Sequence, residues 1–432
     1  MGALEDLLAG RFRDPDTKKI LSVPVKAVTI APSLAGMEAD LVDKLDLPDP
    51  FAVISDANTH AVLGERVEKA LASLGEVKSI RLDGRPHPDD VTVAKVMAAG
   101  KEAGSYIAVG TGTINDLAKY AAAKQHKRCV VFATAPSMNG YTSVNAAITV
   151  RGHKKSLPAV APEGVFIDLS VMSKAPVRLI RAGFGDAICR STAQADWLLA
   201  HRLNGAAYQK APFALFAELE NQLAEVSEGL VSGDQEALDL LVRVLLLSGF
   251  GMTIAGGSHP ASQGEHLISH LMEMKPPEDW DEPFHGEQIA VTTLAMAHLQ
   301  DQTLELDEPP ELCESRITKE AVKAFFGEEI GAQCWSELEP KLLDKRSAAA
   351  RNERLAAIWD DFRGELAGLT RTASDIAHLL ESIGAPANYR DLGLDRTYFA
   401  DAIRHARAVR NRYTFLDLAG DSGLLTPERL ID

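Results

Sequence analysis

Between residues 51 and 135, short apolar runs alternate with helical patterns, and few folds accept that alternation. FAVIS (51–55), VKSIRL (77–82), SYIAVG (105–110) and RCVVFATA (128–135) read as strands. Helical patterns run from about Ala61 to Leu74, over 89–104 and over 114–124. A strand that returns to its own sheet through a helix makes a right-handed βαβ unit, so a Rossmann-like parallel sheet is expected. SVPVKAVTIAPSL (22–34) adds a strand and turn before this series. After it comes a hairpin of AAITV (146–150), the turn RGHKKS and the strand GVFIDLS (164–170). Beyond about Pro176 long helices are expected at Asp186–Leu203, Pro212–Leu230, Asp234–Phe250, Ile289–Leu299, Ile317–Phe326, Cys334–Gly364 and Ala373–Ser382. Thr397–Arg410 reads as helical too, and TFLDLA after it as helical or short and extended. A chain of 432 residues exceeds one ordinary core. The reading is therefore an α/β domain over 1–176 and an all-α domain over 177–432.

The charge balance narrows the partners. With 45 basic against 61 acidic side chains the net charge is -16, so no broad basic surface is available to neutralise a nucleic acid. Cys129, Cys189, Cys313 and Cys334 have no CxxC spacing, which fits reduced thiols and a cytoplasmic location. MGALEDLLAGRFRDPDTKK has acidic residues and no apolar run, so it does not read as a signal peptide. The apolar stretch Leu238–Gly257 contains Asp239 and Arg243, and reads as a buried helix rather than a membrane span.

Two stretches carry chemistry. SYIAVG leads straight into GTGTINDLAK (110–119), where glycines permit close backbone approach and the next helix offers free amides to a phosphate. The spacing is neither GxGxxG nor GxxxxGK[ST], and a tight βα turn without ligand would look the same. Asp56, at the end of an earlier strand, suits a ribose hydroxyl or a helix N-cap equally. The second stretch, Gly256–Glu287, holds His259, His266, His270 and His285 out of 12 histidines in the chain. His266 and His270 share a helix face, and either or both can ligate a metal. Asp186, in RAGFGDAICRSTAQADW, is the best-placed carboxylate, delivered by two glycines at a helix start. Three protein ligands with one open position form the catalytic arrangement for a divalent ion. A helix-start aspartate is more often a cap, and a histidine pair more often packing.

Taken together, GTGTINDLAK, TAPSMNGYTSVNAAI (134–148), AGFGDAICRSTAQADW (182–197), GGSHPASQGEHLISH (256–270) and HGEQIAV (285–291) resemble the sn-glycerol-1-phosphate dehydrogenases. These belong to the iron-dependent alcohol dehydrogenase and dehydroquinate-synthase-like superfamily. The N-terminal run and the ending RNRYTFLDLAGDSGLL resemble its bacterial branch. The resemblance implies a dinucleotide-binding α/β domain, a helical domain, and one divalent metal (zinc, nickel or iron) held by Asp186, His266 and His285. It prefers His266 to His270 because the first histidine of EHxxSH matches the family ligand. It assigns the cofactor phosphates to Gly110, Gly112, Thr113 and Asp116. Thr134 and Ser137 fall between nicotinamide and substrate, and Asn139, Ser143, His259 and His270 on the substrate side. The implied reaction is NAD- or NADP-dependent interconversion of dihydroxyacetone phosphate and sn-glycerol 1-phosphate. His270 or a water would supply the proton, and Lys154, Lys155 and His259 would face the substrate phosphate. A homo-oligomer, dimer or larger, is the default assembly.

Two positions depart from the pattern. Asn139 stands where an aspartate is usual, and an amide carries no charge and cannot act as a base. Gln263 and Gly264 replace smaller steps. These leave room for a related dehydrogenase of glycerol, another polyol or a phosphonate aldehyde, a dehydroquinate-type synthase, or a metal- and NAD-binding homologue without activity.

Overall fold

Six parallel strands form the sheet that the alternation predicts, in a computed structural model that describes residues 2–431. They are β1 (Ala27–Ala31), β2 (Phe51–Asp56), β3 (Val77–Leu82), β4 (Ser105–Gly110), β5 (Arg128–Ala133) and, after the hairpin β6 (Asn145–Val150) and β7 (His153–Pro158), β8 (Gly164–Asp168). The order is β1-β8-β5-β4-β2-β3. Every residue of β4 and β8 is buried, as expected of strands covered on both faces. On one face Val53, Ile107, Val130, Phe132 and Phe166 pack with Leu63, Val67 and Leu71 from the helix after β2. The chain steps outward from β2 to β3, then returns past β2 to β4 and moves on to β5. That reversal opens a crevice at the carboxyl ends of β2 and β4, where such sheets bind ligands. Asp56 and Gly110 end those two strands.

The hairpin differs from expectation. AAITV pairs with His153–Pro158 and not with GVFIDLS, which joins the main sheet between β1 and β5. The turn is two residues, Arg151 and Gly152, with φ of 50° and 76°. Two-residue hairpins favour such paired left-handed residues because they match the strand twist. Lys154 and Lys155 therefore lie in a strand rather than in a turn.

Helix α1 (Gly112–Gln125) follows β4, and α2 (Val177–Ile188) opens the helical half. The expected helix Asp186–Leu203 is really the end of α2 followed by α3 (Arg190–Asn204). Further on come α4 (Gln235–Ala255), α5 (Gly264–Met274), α6 (His285–Leu304), α7 (Lys345–Ala367) and α8 (Phe415–Ser422). The single helix expected over Cys334–Gly364 is broken. Pro340 lies in the short turn after Leu338, and Asp344 restarts the chain as a cap, accepting from the Ser347 amide at 2.7 Å. TFLDLA is helical, as α8, and is capped by Thr414.

The chain divides into two compact units, and the division is not at 176. The first holds everything before Ile188 together with Lys210–Ser258; the second holds Ile188–Gln209 and everything from His259 onward. Composition did not reveal that α2 and α4 belong with the sheet. By length and hydropathy α4 is apolar enough to cross a membrane, but 72% of its apolar window is buried in the protein, as in a core helix. Asp239 and Arg243 form an ion pair along it at 2.6 Å. In the second unit Leu199, Leu267, Leu271, Leu299, Trp359, Phe362 and Phe415 make one core.

Candidate metal and cofactor sites

In the first unit, the turn after β4 leads directly into the N-terminus of α1. Thr111 occupies the N-cap of α1 but makes no side-chain cap, whereas Asp56 and Asp89 cap the helices that follow them. Helix geometry leaves the amides of Gly112, Thr113 and Ile114 without a helical acceptor, at the positive end of a 14-residue dipole. Both glycines are also required for packing. A Cβ on Gly110 would lie 2.6 Å from Ile114 Cγ1, and one on Gly112 would lie 2.8 Å from Met138 Sδ. Thr134 is buried at the end of β5 and donates its amide to Gly110 O at 3.1 Å, tying the two strand ends together.

Asp56 is a cap, as its alternative reading held. Its Oδ1 accepts from the Thr59 amide at 2.8 Å, and its own amide donates to Thr59 Oγ1 at 3.0 Å. Only Oδ1 serves that cap. Asp116 points elsewhere than a cofactor phosphate. Its Oδ2 accepts from the Ala147 amide at 2.8 Å and its Oδ1 from Asn115 Nδ2 at 3.1 Å, so the carboxylate anchors the β6–β7 hairpin. Burial raises its pKa, with Lys119 pulling the other way.

The segment after β5 is clamped between two helices. A Cβ on Gly183 of α2 would sit 1.6 Å from Pro136 O, and one on Gly249 of α4 would sit 2.3 Å from Thr142 Oγ1. Glycine at both places lets the helices close on this segment. Thr142 Oγ1 donates to Leu246 O at 2.6 Å, and Tyr141 donates its hydroxyl to Ala135 O at 2.7 Å. Ser137 is buried within the segment. The Ser143 hydroxyl is engaged within the fold: it takes a hydrogen bond from Lys119 Nζ at 3.0 Å and lies 3.0 Å from both Gly140 O and Asn145 O. Asn139 holds Asp186. Its amide donates to Asp186 Oδ2 at 2.7 Å, and its side-chain Nδ2 reaches Asp186 O at 3.5 Å. Asp186 itself is buried near the end of α2, not at a helix start, and Gly183 packs the helix instead of opening it.

In the second unit the histidines converge. His266 lies in the first turn of α5, His270 one turn on, and His285 is the first residue of α6. Ring centroids are 5.1 Å apart for His266 and His285, 5.7 Å for His266 and His270, and 6.0 Å for His270 and His285. His266 Nδ1 hydrogen-bonds to Glu265 Oε1 at 2.9 Å and His285 Nδ1 to Glu273 Oε1 at 3.3 Å. With Nδ1 donating to a carboxylate, Nε2 becomes the lone-pair nitrogen, the usual arrangement behind a metal-binding imidazole. Two such imidazoles fit a divalent ion. Cys189, Glu265 and His266 also bring donor atoms within 4.8 Å of one another. Glu265, however, already takes the Gln263 amide at 2.7 Å besides the imidazole. His259 stands apart from the three, on a short turn, with its ring stacked on Trp197 at 5.7 Å. Burial, then the charges of Arg412 and Arg410, push its pKa down to about 4, so it is neutral at pH 7.

Sequence reasoning missed Glu265, Glu273, Arg410 and Arg412. Glu265 was visible as the acid of EHxxSH, and the arginines as the charges of RNRY before a buried helix. Glu273→Gln is expected to weaken metal affinity about 10–100-fold, because the amide removes the charge behind His285. Titration against a competing chelator checks this; unchanged affinity would leave Glu273 no part in the site.

Residues 29–176 match the family described as iron-containing alcohol dehydrogenase. The chain is 34% identical over 277 residues to a glycerol-1-phosphate dehydrogenase [NAD(P)+] of Thermococcus kodakarensis, covering 63% of this chain and 77% of that one. It is 29% identical over 371 residues to the enzyme of the same name from Halalkalibacterium halodurans, covering 84% of each. Among solved structures, glycerol dehydrogenase from Schizosaccharomyces pombe shares the fold with a TM-score of 0.62 at 16% identity, covering 94% of this chain and 90% of that one. The chain belongs to the glycerol-1-phosphate dehydrogenase family, within the iron-containing alcohol dehydrogenases.

Proposed function

We propose that this protein is a metal-dependent, NAD(P)-linked dehydrogenase that interconverts dihydroxyacetone phosphate and sn-glycerol 1-phosphate. The observation that carries the reading is the pair His266 and His285, each backed by a carboxylate at Nδ1, in a chain of this family. When bound, a divalent cation supplies Lewis acidity towards a carbonyl oxygen, and the nicotinamide supplies the hydride.

The chain's own residues do the rest. His266, His285 and Asp186 are the proposed ligands, a set of two imidazoles and a carboxylate that suits zinc, nickel or ferrous iron. Asp186 is one residue from the point where the chain passes into the histidine-bearing unit. Asn139 orients its carboxylate through the 2.7 Å bond to Oδ2. The amides of Gly112 and Thr113 bind the cofactor pyrophosphate, and Asp56, whose carboxylate ends the neighbouring strand, meets the adenosine ribose. Thr134 and Ser137 line the nicotinamide side. His270, the third imidazole of the cluster, holds the proton that the product oxygen takes up. Cytoplasmic location fits four cysteines of which none is in a disulfide. We place the enzyme there as a homo-oligomer, which size-exclusion chromatography with light scattering tests.

The deciding assay follows NADH and NADPH oxidation with dihydroxyacetone phosphate, after each metal is restored in turn, and determines product chirality. The expected product is sn-glycerol 1-phosphate. Turnover confined to an unphosphorylated polyol, or the opposite enantiomer, would replace the substrate assignment.

A further inference from the structure

The ending RNRYTFLDLA takes no part in the chemistry above, yet it carries two arginines that the fold leaves in an unusual state. Arg410 Nη2 is buried and has no hydrogen-bond partner among the described residues. A buried guanidinium nitrogen without an acceptor is unfavourable, so it marks a place where an anion fits. Arg412 lies two residues on and donates from Nη1 to Ser262 O, just ahead of α5. The charges of the two guanidiniums act on each other and on His259. Burial lowers the Arg410 pKa to about 10, and burial together with Arg410 lowers that of Arg412 to about 9. Two like charges gathered in one half-buried place call for a multivalent anion.

Their location indicates which anion. Arg410 feels the carboxylate of Glu273, which holds His285, and Arg412 feels that of Glu265, which holds His266. Geometry ties Arg412 to this region: its acceptor Ser262 O directly precedes Gln263, whose amide donates to Glu265 Oε1, the oxygen that holds His266. The other nearby carboxylate, Glu337, is engaged by the Asn411 amide at 2.9 Å. A chain of net charge -16 repels an anionic substrate unless a local positive cluster captures it. We propose that Arg410 and Arg412 form the subsite for the phosphate of the substrate, with Arg410 as its main donor and the His259 ring, stacked on Trp197, as a wall. The proposal rests on the phosphorylated-ketone reading above, and it shifts the phosphate from Lys154 and Lys155 to these arginines.

The test compares wild type, Arg410→Ala, Arg410→Lys and the surface control Arg404→Ala. It measures kcat/KM for dihydroxyacetone phosphate relative to dihydroxyacetone, and binding of inorganic phosphate by calorimetry. Arg410→Ala is expected to lower the preference for the phosphorylated ketone about 10–100-fold, chiefly through KM, and to abolish phosphate binding. Arg410→Lys keeps charge and bulk but not the planar fork; it should lose about 10-fold, and it carries the test should the alanine variant fail to fold. Arg404, whose partners are Asp401 and Glu428, should change neither reading. An unchanged preference in Arg410→Ala, or an equal rise in KM for NADPH, would overturn the subsite while leaving the dehydrogenase reading in place. Phosphate binding through Arg410 in a wild type that does not turn over dihydroxyacetone phosphate would support the subsite and remove the reaction instead.

Discussion

His266→Ala is expected to lose its divalent cation and to fall at least about 1,000-fold in kcat. The imidazole is buried at 5% exposure, its Nδ1 is held by Glu265 at 2.9 Å, and its ring lies 5.1 Å from that of His285. Nothing else in α5 replaces it, because His270 is one turn further on with its ring 6.0 Å from that of His285. Lewis-acid stabilisation of a developing alkoxide is worth several kcal/mol, and roughly 4 kcal/mol corresponds to about a thousandfold in rate. Metal content by mass spectrometry, read beside turnover, separates this from a simple packing defect. His270→Ala provides the contrast: it should keep its metal and lose about 100-fold, as expected for a proton donor. Full metal occupancy in His266→Ala would exclude the residue as a ligand.

Gly183→Ala should be the most damaging small substitution in the sheet unit. One added methyl would stand 1.6 Å from Pro136 O, a backbone atom that cannot move without the segment carrying Ser137 and Asn139. Overpacking of this kind costs about 3 kcal/mol or more, which lowers the melting temperature by roughly 6–12 °C where the sheet unit, rather than the whole chain, unfolds as one cooperative body. Activity should fall further than stability, because shifting Pro136 also displaces the Asn139 amide from Asp186 Oδ2. Gly364→Ala is the control: it lies within α7 with nothing inside 4 Å of the new Cβ, and helix propensity favours alanine there. A melting temperature for Gly183→Ala within about 2 °C of wild type would show that the helix and the segment can separate without cost.

The strands were legible because each is a short apolar run bounded by turn residues, and β4 and β3 match their expected ends residue for residue. The hairpin partner was not, since strand pairing is non-local and HKKSLP is too polar to announce itself. Nor was the membership of α2 and α4, because an apolar helix reads alike whether it covers a sheet or another helix. Within the site, the histidines showed themselves by spacing. Asp116 and Ser143 sat in suggestive motifs, but their side chains turned to Ala147 and Lys119, contacts that the sequence cannot express. Glu273 carries no motif at all, and RNRY shows its arginines without showing which distant groups the fold brings near them.

The interleaving of the two units also bears on how the chain is made. A ribosome releases the six strands before residue 170, yet the sheet unit lacks α4 until Ser258 has emerged, after Ile188–Gln209 has been synthesised for the other unit. An early, independently finished N-terminal domain is therefore unavailable during synthesis. Neither unit corresponds to one continuous stretch of gene, so a clone cut at a single point yields an incomplete core on both sides. Shuffling the sheet unit onto a different helical unit requires exchanging two segments at once, which ties the two together in inheritance.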